Sequence, residues 1–250
     1  NAKEKAVQVD PNDAGAHYNL GNALKGLGRL DDAEASFRQA LALKSDFAEA
    51  HFNLGDTLKK QGRLHDAETS LRQSIEFKSD HAVAHNNLGA TLQDLGRLNE
   101  ADASFRQAIA LKPDYFDAHY NLAIILKKLC RLSEAEASMR QAIALKADFS
   151  EAHHNLGKTL KELDKLDEAE ASFRHAIALE PDNFEAHNNY GATLQALGRS
   201  DDAAICYRNL IAIKPDYSEA HNNFGAVLQD MGRFDEAEAS YRHALVLKPD

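Results

Sequence analysis

The sequence predicts an all-α solenoid of antiparallel helix hairpins, and three observations carry that prediction. Gly21, Gly55, Gly89, Gly157, Gly191 and Gly225 fall on a ladder with a fixed 34-residue step, and Ala123 fills the one missing rung. Ala, Leu, Glu, Asp, Arg and Lys dominate, while the 250 residues hold only five Pro and no Trp, which favours helix over strand. Five of the seven 34-residue units also carry a helix-breaking Gly-Arg pair near their middle, at Gly28-Arg29, Gly62-Arg63, Gly96-Arg97, Gly198-Arg199 and Gly232-Arg233.

Seven repeats follow, over 14–47, 48–81, 82–115, 116–149, 150–183, 184–217 and 218–250. Residues 1–13 read as the tail helix of a preceding partial repeat. In each repeat a first helix runs over roughly the first 14 positions. Glycine then suits the left-handed turn that follows, and Cys130 and Asp164 stand in its place in repeats four and five at a small local cost. The second helix is expected to open on a side-chain cap at Asp31, Asn99, Ser133, Asp167, Asp201 or Asp235, often with an acid three residues on. Pro113, Pro181, Pro215 and Pro249 close the second helix, and the Asp after each is placed to cap the next hairpin.

The net charge is −10, from 29 basic against 39 acidic residues, and no basic stripe is visible. Nucleic acid and anionic membrane surfaces are therefore not expected partners. No apolar run approaches the roughly 18 residues that would span a bilayer. Cys130 and Cys206 lie more than two repeats apart and outside any CxxC pair, so two free thiols in a reducing, cytoplasmic and bacterial setting are expected. No phosphate-cradling glycine loop and no Ser/His/Asp set shares one locus. The chain reads as a non-enzyme without cofactors, any catalytic domain lying outside it.

The apolar offsets resemble the tetratricopeptide repeat family over essentially the whole chain. Repeat one offers Leu20, Gly21, Leu24, Ala33, Phe37 and Ala40, and repeat three offers Leu88, Gly89, Leu92, Ala101, Phe105, Ala108 and Pro113. One departure stands out: the family's usual Trp or Tyr at position 4 is His in all seven repeats. The resemblance implies a right-handed superhelix whose concave groove is lined by one face of the first helices.

A helix advances about 100° per residue. Positions 3, 4, 7, 8, 10, 11 and 14 then form a core arc, and positions 2, 5, 6, 9, 12 and 13 form the groove arc. Position 6 is always asparagine: Asn19, Asn53, Asn87, Asn121, Asn155, Asn189 and Asn223. Helix propensity does not favour that choice, whereas an amide offers a donor and an acceptor to the main chain of an extended peptide. The alternative is that it bonds a neighbouring helix. The row is similar to the asparagine ladder of O-linked N-acetylglucosamine transferases, as is the Ala84–Gly89 string, and bacterial members of the family are similar too. The carboxylate clamp of chaperone-binding relatives, which takes an Asn at position 6, also needs Lys or Arg at positions 2 and 6 of a later repeat. Here position 2 is Gly15, Glu49, Val83, Asp117, Glu151, Glu185 and Glu219, so a C-terminal carboxylate ligand is not expected. Lys59, Lys127 and Lys161 at position 12, and Tyr18, Phe52 and Tyr120 at position 5, are expected to tune specificity toward a mixed-charge peptide.

The position-4 histidines His17, His51, His85, His119, His153, His187 and His221 lie one per repeat, too far apart to converge on a metal. They are expected to be half-buried and bonded to nearby backbone. Arg38, Arg72, Arg106, Arg140, Arg174, Arg208 and Arg242 mostly follow an acid by four residues on a solvated face. The expected function is a protein-interaction scaffold that binds an extended peptide or protein segment. The alternatives are the substrate-recognition arm of a larger glycosyltransferase, or a self-assembling solenoid. The chain opens inside a second helix and stops at Lys248-Pro249-Asp250 without a polar capping helix. A fragment of a longer protein, or end-to-end self-association, is expected on that ground.

Overall fold

A computed structural model describes residues 11–248. Most of the predicted tail helix (residues 1–10) and Pro249 lie outside the described residues. Among the described residues there are fourteen α-helices and no strand. They are α1 (Ala14–Gly26), α2 (Leu30–Leu43), α3 (Ala48–Lys60), α4 (Leu64–Phe77), α5 (Ala82–Asp94), α6 (Leu98–Leu111) and α7 (Phe116–Lys128), then α8 (Leu132–Leu145), α9 (Ser150–Glu162), α10 (Leu166–Leu179), α11 (Phe184–Ala196), α12 (Ser200–Ile213), α13 (Ser218–Asp230) and α14 (Phe234–Leu247). The chain divides into two compact units, Asn1–Ile125 and Leu126–Asp250, the division falling inside α7.

Within a hairpin the turn has one form throughout. Gly28 sits at φ +74°, its N–H donates to Lys25 O, and Arg29 N–H donates to Leu24 O, which satisfies the last carbonyls of α1. The same left-handed backbone is imposed on Cys130 at φ +58° and Asp164 at φ +59°, where no glycine is present. The second helices do not open on the expected acids. Their N-caps are Arg29, Arg63, Arg97, Arg131, Lys165, Arg199 and Arg233, none with a side-chain cap bond. The turn is three residues long, so the basic residue itself flanks the helix, and Asp31 and its counterparts fall one turn-position inside. The first-turn acids serve the helix dipole and the cap's own side chain instead: Arg29 Nε donates to Asp32 and Arg97 Nε to Glu100, both at 2.7 Å. Asp182 and Asp216, which follow prolines, do not cap either. Asn183 caps α11 by accepting from Ala186 N–H, and Tyr217 precedes α13 without a side-chain bond.

Between repeats, every position-4 histidine bonds the carbonyl six residues back through Nε2. The distances run from 2.9 Å (His51 to Ser45 O) to 3.1 Å (His85 to Ser79 O). The ring thus ties each first helix to the turn that leads into it. His51, His153 and His221 are buried and the other four half-buried. A lysine before the turn adds a cation–π contact in several repeats, as Lys44 over Phe47 at 5.2 Å.

The core is built from small and large residues at fixed offsets. In the first unit Leu24, Ala33, Phe37, Leu54, Leu58 and Ala67 form one cluster. In the second, Leu194, Ala203, Tyr207, Leu210, Ala220 and Val227 form another. The tightest approach joins the ladder glycine to the large residue sixteen positions on. A Cβ on Gly21 would stand 2.6 Å from Phe37, on Gly89 2.8 Å from Phe105, and on Gly191 2.7 Å from Tyr207. Repeat four carries Ala123 and Met139 at these two positions, both buried.

A second ladder runs along the second helices. In the first unit Glu34 receives Arg38 and, from the next repeat, Arg63; Glu68 receives Arg72 and Arg97. In the second, Glu136 receives Arg140 and Lys165, and Glu170 receives Arg199. Burial alone would raise the Glu68 carboxyl, but the bonds from Arg72 and Arg97 outweigh it and hold it below the usual carboxylate range. Glu34 and Glu136 are lowered in the same way by their own two cations.

Two outcomes follow. Gly89→Ala should cost about 1–3 kcal/mol from overpacking, reduced by up to about 1 kcal/mol of helix propensity. Adding Phe105→Met should recover part of that loss, because methionine repacks around the new methyl; urea midpoints of the four-member cycle test this, and a more stable Gly89→Ala chain contradicts it. The lowered glutamates stabilise the fold above their unfolded pKa, and that contribution is lost as pH falls through their depressed folded values. Tm should therefore be nearly flat from pH 7 to about 5 and fall below about 4. Glu68→Gln should lower Tm at pH 7 and flatten part of the acid fall; a variant that tracks wild type at every pH overturns the assignment.

Candidate functional site

The seven asparagines all sit on first helices. Asn53, Asn87, Asn121, Asn155, Asn189 and Asn223 are half-buried, and Asn19 is exposed. Their amides are not idle. In the first unit Asn53 Nδ2 donates to Tyr18 Oη at 3.1 Å, and Asn121 Nδ2 donates to Asn86 Oδ1 at 3.2 Å. In the second, Asn189 Nδ2 bonds His154 Nε2 and Asn223 Nδ2 bonds Asn188 Oδ1, both at 3.0 Å. Position 6 of one repeat thus reaches position 5 of the repeat before it. The residue at position 5 decides whether the bridge forms. Tyr18, Asn86, His154 and Asn188 all accept; Phe52 cannot, and Asn87 instead takes a 3.4 Å bond from the neighbouring Asn86 amide. His154 must be neutral at Nε2 to accept, and burial together with the nearby Lys158 charge pushes its pKa down.

The bridges fix which way the amides face. Among the described residues, the Oδ1 atoms of Asn121, Asn189 and Asn223 receive no hydrogen bond. Asn53 differs, since Lys25 Nζ donates to its Oδ1 at 2.9 Å.

The position-12 cations are mostly spoken for. Lys59 pairs with Asp94 at 3.2 Å in the first unit, and Lys127 with Glu162 at 2.9 Å in the second. Gln195 donates to Asp230 in the same manner. Lys161 forms no ion pair among the described residues. The aromatic residues are half-buried rather than free in a groove. Tyr18 packs on Phe47 at 4.9 Å between ring centroids, Phe52 on His81 at 4.8 Å, and Tyr120 stacks on Phe116 at 6.0 Å.

The sequence reading carried the asparagine bonds between repeats only as its alternative, and missed the ion pairs between repeats. Their signal is present as constant separations: 35 residues for the amide bridges and for Gln195 to Asp230, and 29 for the glutamate-to-cation pairs. No group of three or more metal-ligating side chains gathers among the described residues. No helix of the described residues is long and apolar enough to cross a membrane.

Comparison with known proteins places this arrangement. Family patterns described as tetratricopeptide repeat match residues 18–82, 116–149, 150–183, 172–204 and 218–250, and one described as TPR repeat matches 92–129. The search of curated proteins returned no significant match. Among solved structures, the chain is similar to YrrB, described as a TPR protein with an unusual peptide-binding site, at 22% identity over 74% of this chain and 96% of that one, with a TM-score of 0.66. MamA is also 22% identical over 65% of this chain and 95% of its own, with a TM-score of 0.63. PilF of Pseudomonas aeruginosa is 17% identical over 93% and 99%, with a TM-score of 0.70. At these identities the structures speak for the fold alone. Together, the repeat matches and the hairpin geometry show that the chain belongs to the tetratricopeptide repeat family, a family of protein–protein interaction scaffolds.

Proposed function

We propose that this scaffold captures an extended peptide or protein segment by its main chain, along the asparagine-bearing face of the first helices. The observation that carries the reading is the pinned amide. One Nδ2–H of Asn121, Asn189 and Asn223 is spent on the preceding repeat, which holds Oδ1 at a fixed attitude. A fixed acceptor costs little entropy when it takes a peptide N–H. First helices of successive repeats stand about 10 Å apart by ordinary helix packing. An extended chain advances about 3.3 Å per residue, so one rung serves every third residue. Recognition by main-chain groups is indifferent to side-chain sequence, and specificity then falls to the neighbouring positions 2, 5, 9, 12 and 13.

The test uses the double variant Asn87→Ala plus Asn121→Ala. Peptides selected from a displayed random dodecamer library on the wild-type chain serve as the probe. Affinity should drop at least tenfold, while stability falls only by about the 1 kcal/mol of one bridging hydrogen bond. Unchanged affinity beside a large fall in Tm would show that the asparagines only join repeats.

A further inference from the structure

Along the groove arc, the position-12 lysines are paired with acids of the next first helix, with one exception. Lys25 reaches Asp56 at 2.7 Å, Lys59 reaches Asp94, and Lys127 reaches Glu162; in each case the acid lies on the next first helix. In α9 the pattern stops. Lys158 and Lys161 stand at positions 9 and 12 on one helix face, three residues apart and half-buried. The following first helix, α11, offers Ala192 and Ala196 at positions 9 and 13, where the paired repeats carry acids. Neither lysine forms an ion pair among the described residues. Glu162, the nearest acid along α9, is already taken by Lys127. Glu151 and Glu185 share this arc at position 2, about two helical turns from position 9, and form no ion pair with either lysine. The two ammonium groups therefore carry no ion pair among the described residues, in a chain whose net charge is −10.

This vacancy has a fixed neighbourhood. Asn189 is pinned to the buried His154 one turn from Lys158, so the acceptor that would hold the peptide backbone stands beside the lysine pair. The alanines stand where Asp56, Asp94 and Glu162 supply the acid in the paired repeats.

We propose that Lys158 and Lys161 form a side-chain subsite that selects an Asp or Glu in the captured segment, its carboxylate completing the ion pair that α11 does not supply. The inference rests on main-chain capture along the asparagine face. It concerns an internal acidic residue, not a terminal carboxylate. The protein's overall negative field opposes acidic ligands, so any such preference has to be local.

The test is selection from a displayed random dodecamer library on three full-length chains: wild type, Lys158→Glu plus Lys161→Glu, and Asn189→Ala plus Asn223→Ala. Wild type should enrich peptides with Asp or Glu at one fixed position, and charge reversal should exchange that preference for Lys or Arg. The asparagine variant should recover few binders and no new preference. For a selected acidic peptide, Lys158→Ala plus Lys161→Ala should weaken binding about fivefold, an effect that shrinks in high salt. Circular dichroism melts confirm that these solvent-facing variants fold. Peptides that are enriched by wild type without any acidic position, but lost on the asparagine variant, overturn the subsite and leave main-chain capture standing. A wild type that enriches no peptide overturns both.

Discussion

The structure depends on one close approach. At position 8 of the first helix, in every repeat but the fourth, there is room for a hydrogen but not for a methyl group, because the large side chain of the second helix lies against the backbone there; in the fourth, Ala123 faces the slimmer Met139. That contact sets the distance between the two helices of a hairpin. The distance buries the position-3 alanines, turns position 5 toward the next repeat and turns position 6 toward the preceding one. Were the hairpin wider, the 35-residue amide bridges and the 29-residue ion pairs would both miss their partners. Packing densities in protein interiors leave little freedom to absorb such a shift.

Polar side chains do the joining. The histidine at position 4 replaces a larger aromatic ring with one that also bonds backbone, so each inter-repeat turn gains a hydrogen bond as well as a packed ring. The asparagine at position 6 joins repeats. One amide hydrogen of Asn53, Asn121, Asn189 and Asn223 belongs to the preceding repeat, and the oxygens of the last three receive no hydrogen bond among the described residues. Under the proposed main-chain capture, the structural bond and the free acceptor are parts of one group rather than rival explanations of it. The same economy appears in Arg63 and Arg97, each of which neutralises the acid in its own first turn and the glutamate of the preceding repeat.

Much of this was legible in the residues. The 34-residue step gave the hairpins, and a 100° wheel separated the buried alanines and leucines from the asparagine face. The left-handed turns were readable from glycine, and Cys130 and Asp164 were readable as exceptions. The helix starts were not. A short acceptor near a helix start suggested a cap at Asp31 and its counterparts, but turn length decided the register and put arginine at the boundary. The bridges were hidden for a different reason. Side-chain pattern within one repeat says which face a residue occupies, and not which atom of the next repeat it will meet. Only the identity of position 5, acceptor or Phe52, reveals that the asparagine is looking backward.

The spacing of those bonds has a kinetic side. Within each unit the widest side-chain hydrogen bond joins residues 35 apart. No described bond within a unit requires the chain to close a longer loop than that, so the entropy spent on each step of assembly is nearly the same. A chain of such low relative contact order can nucleate at any hairpin and extend by its neighbours. Length is then a free variable: a whole repeat can be gained or lost without disturbing distant residues, whereas one extra residue inside a helix would put the bridges that span it out of phase.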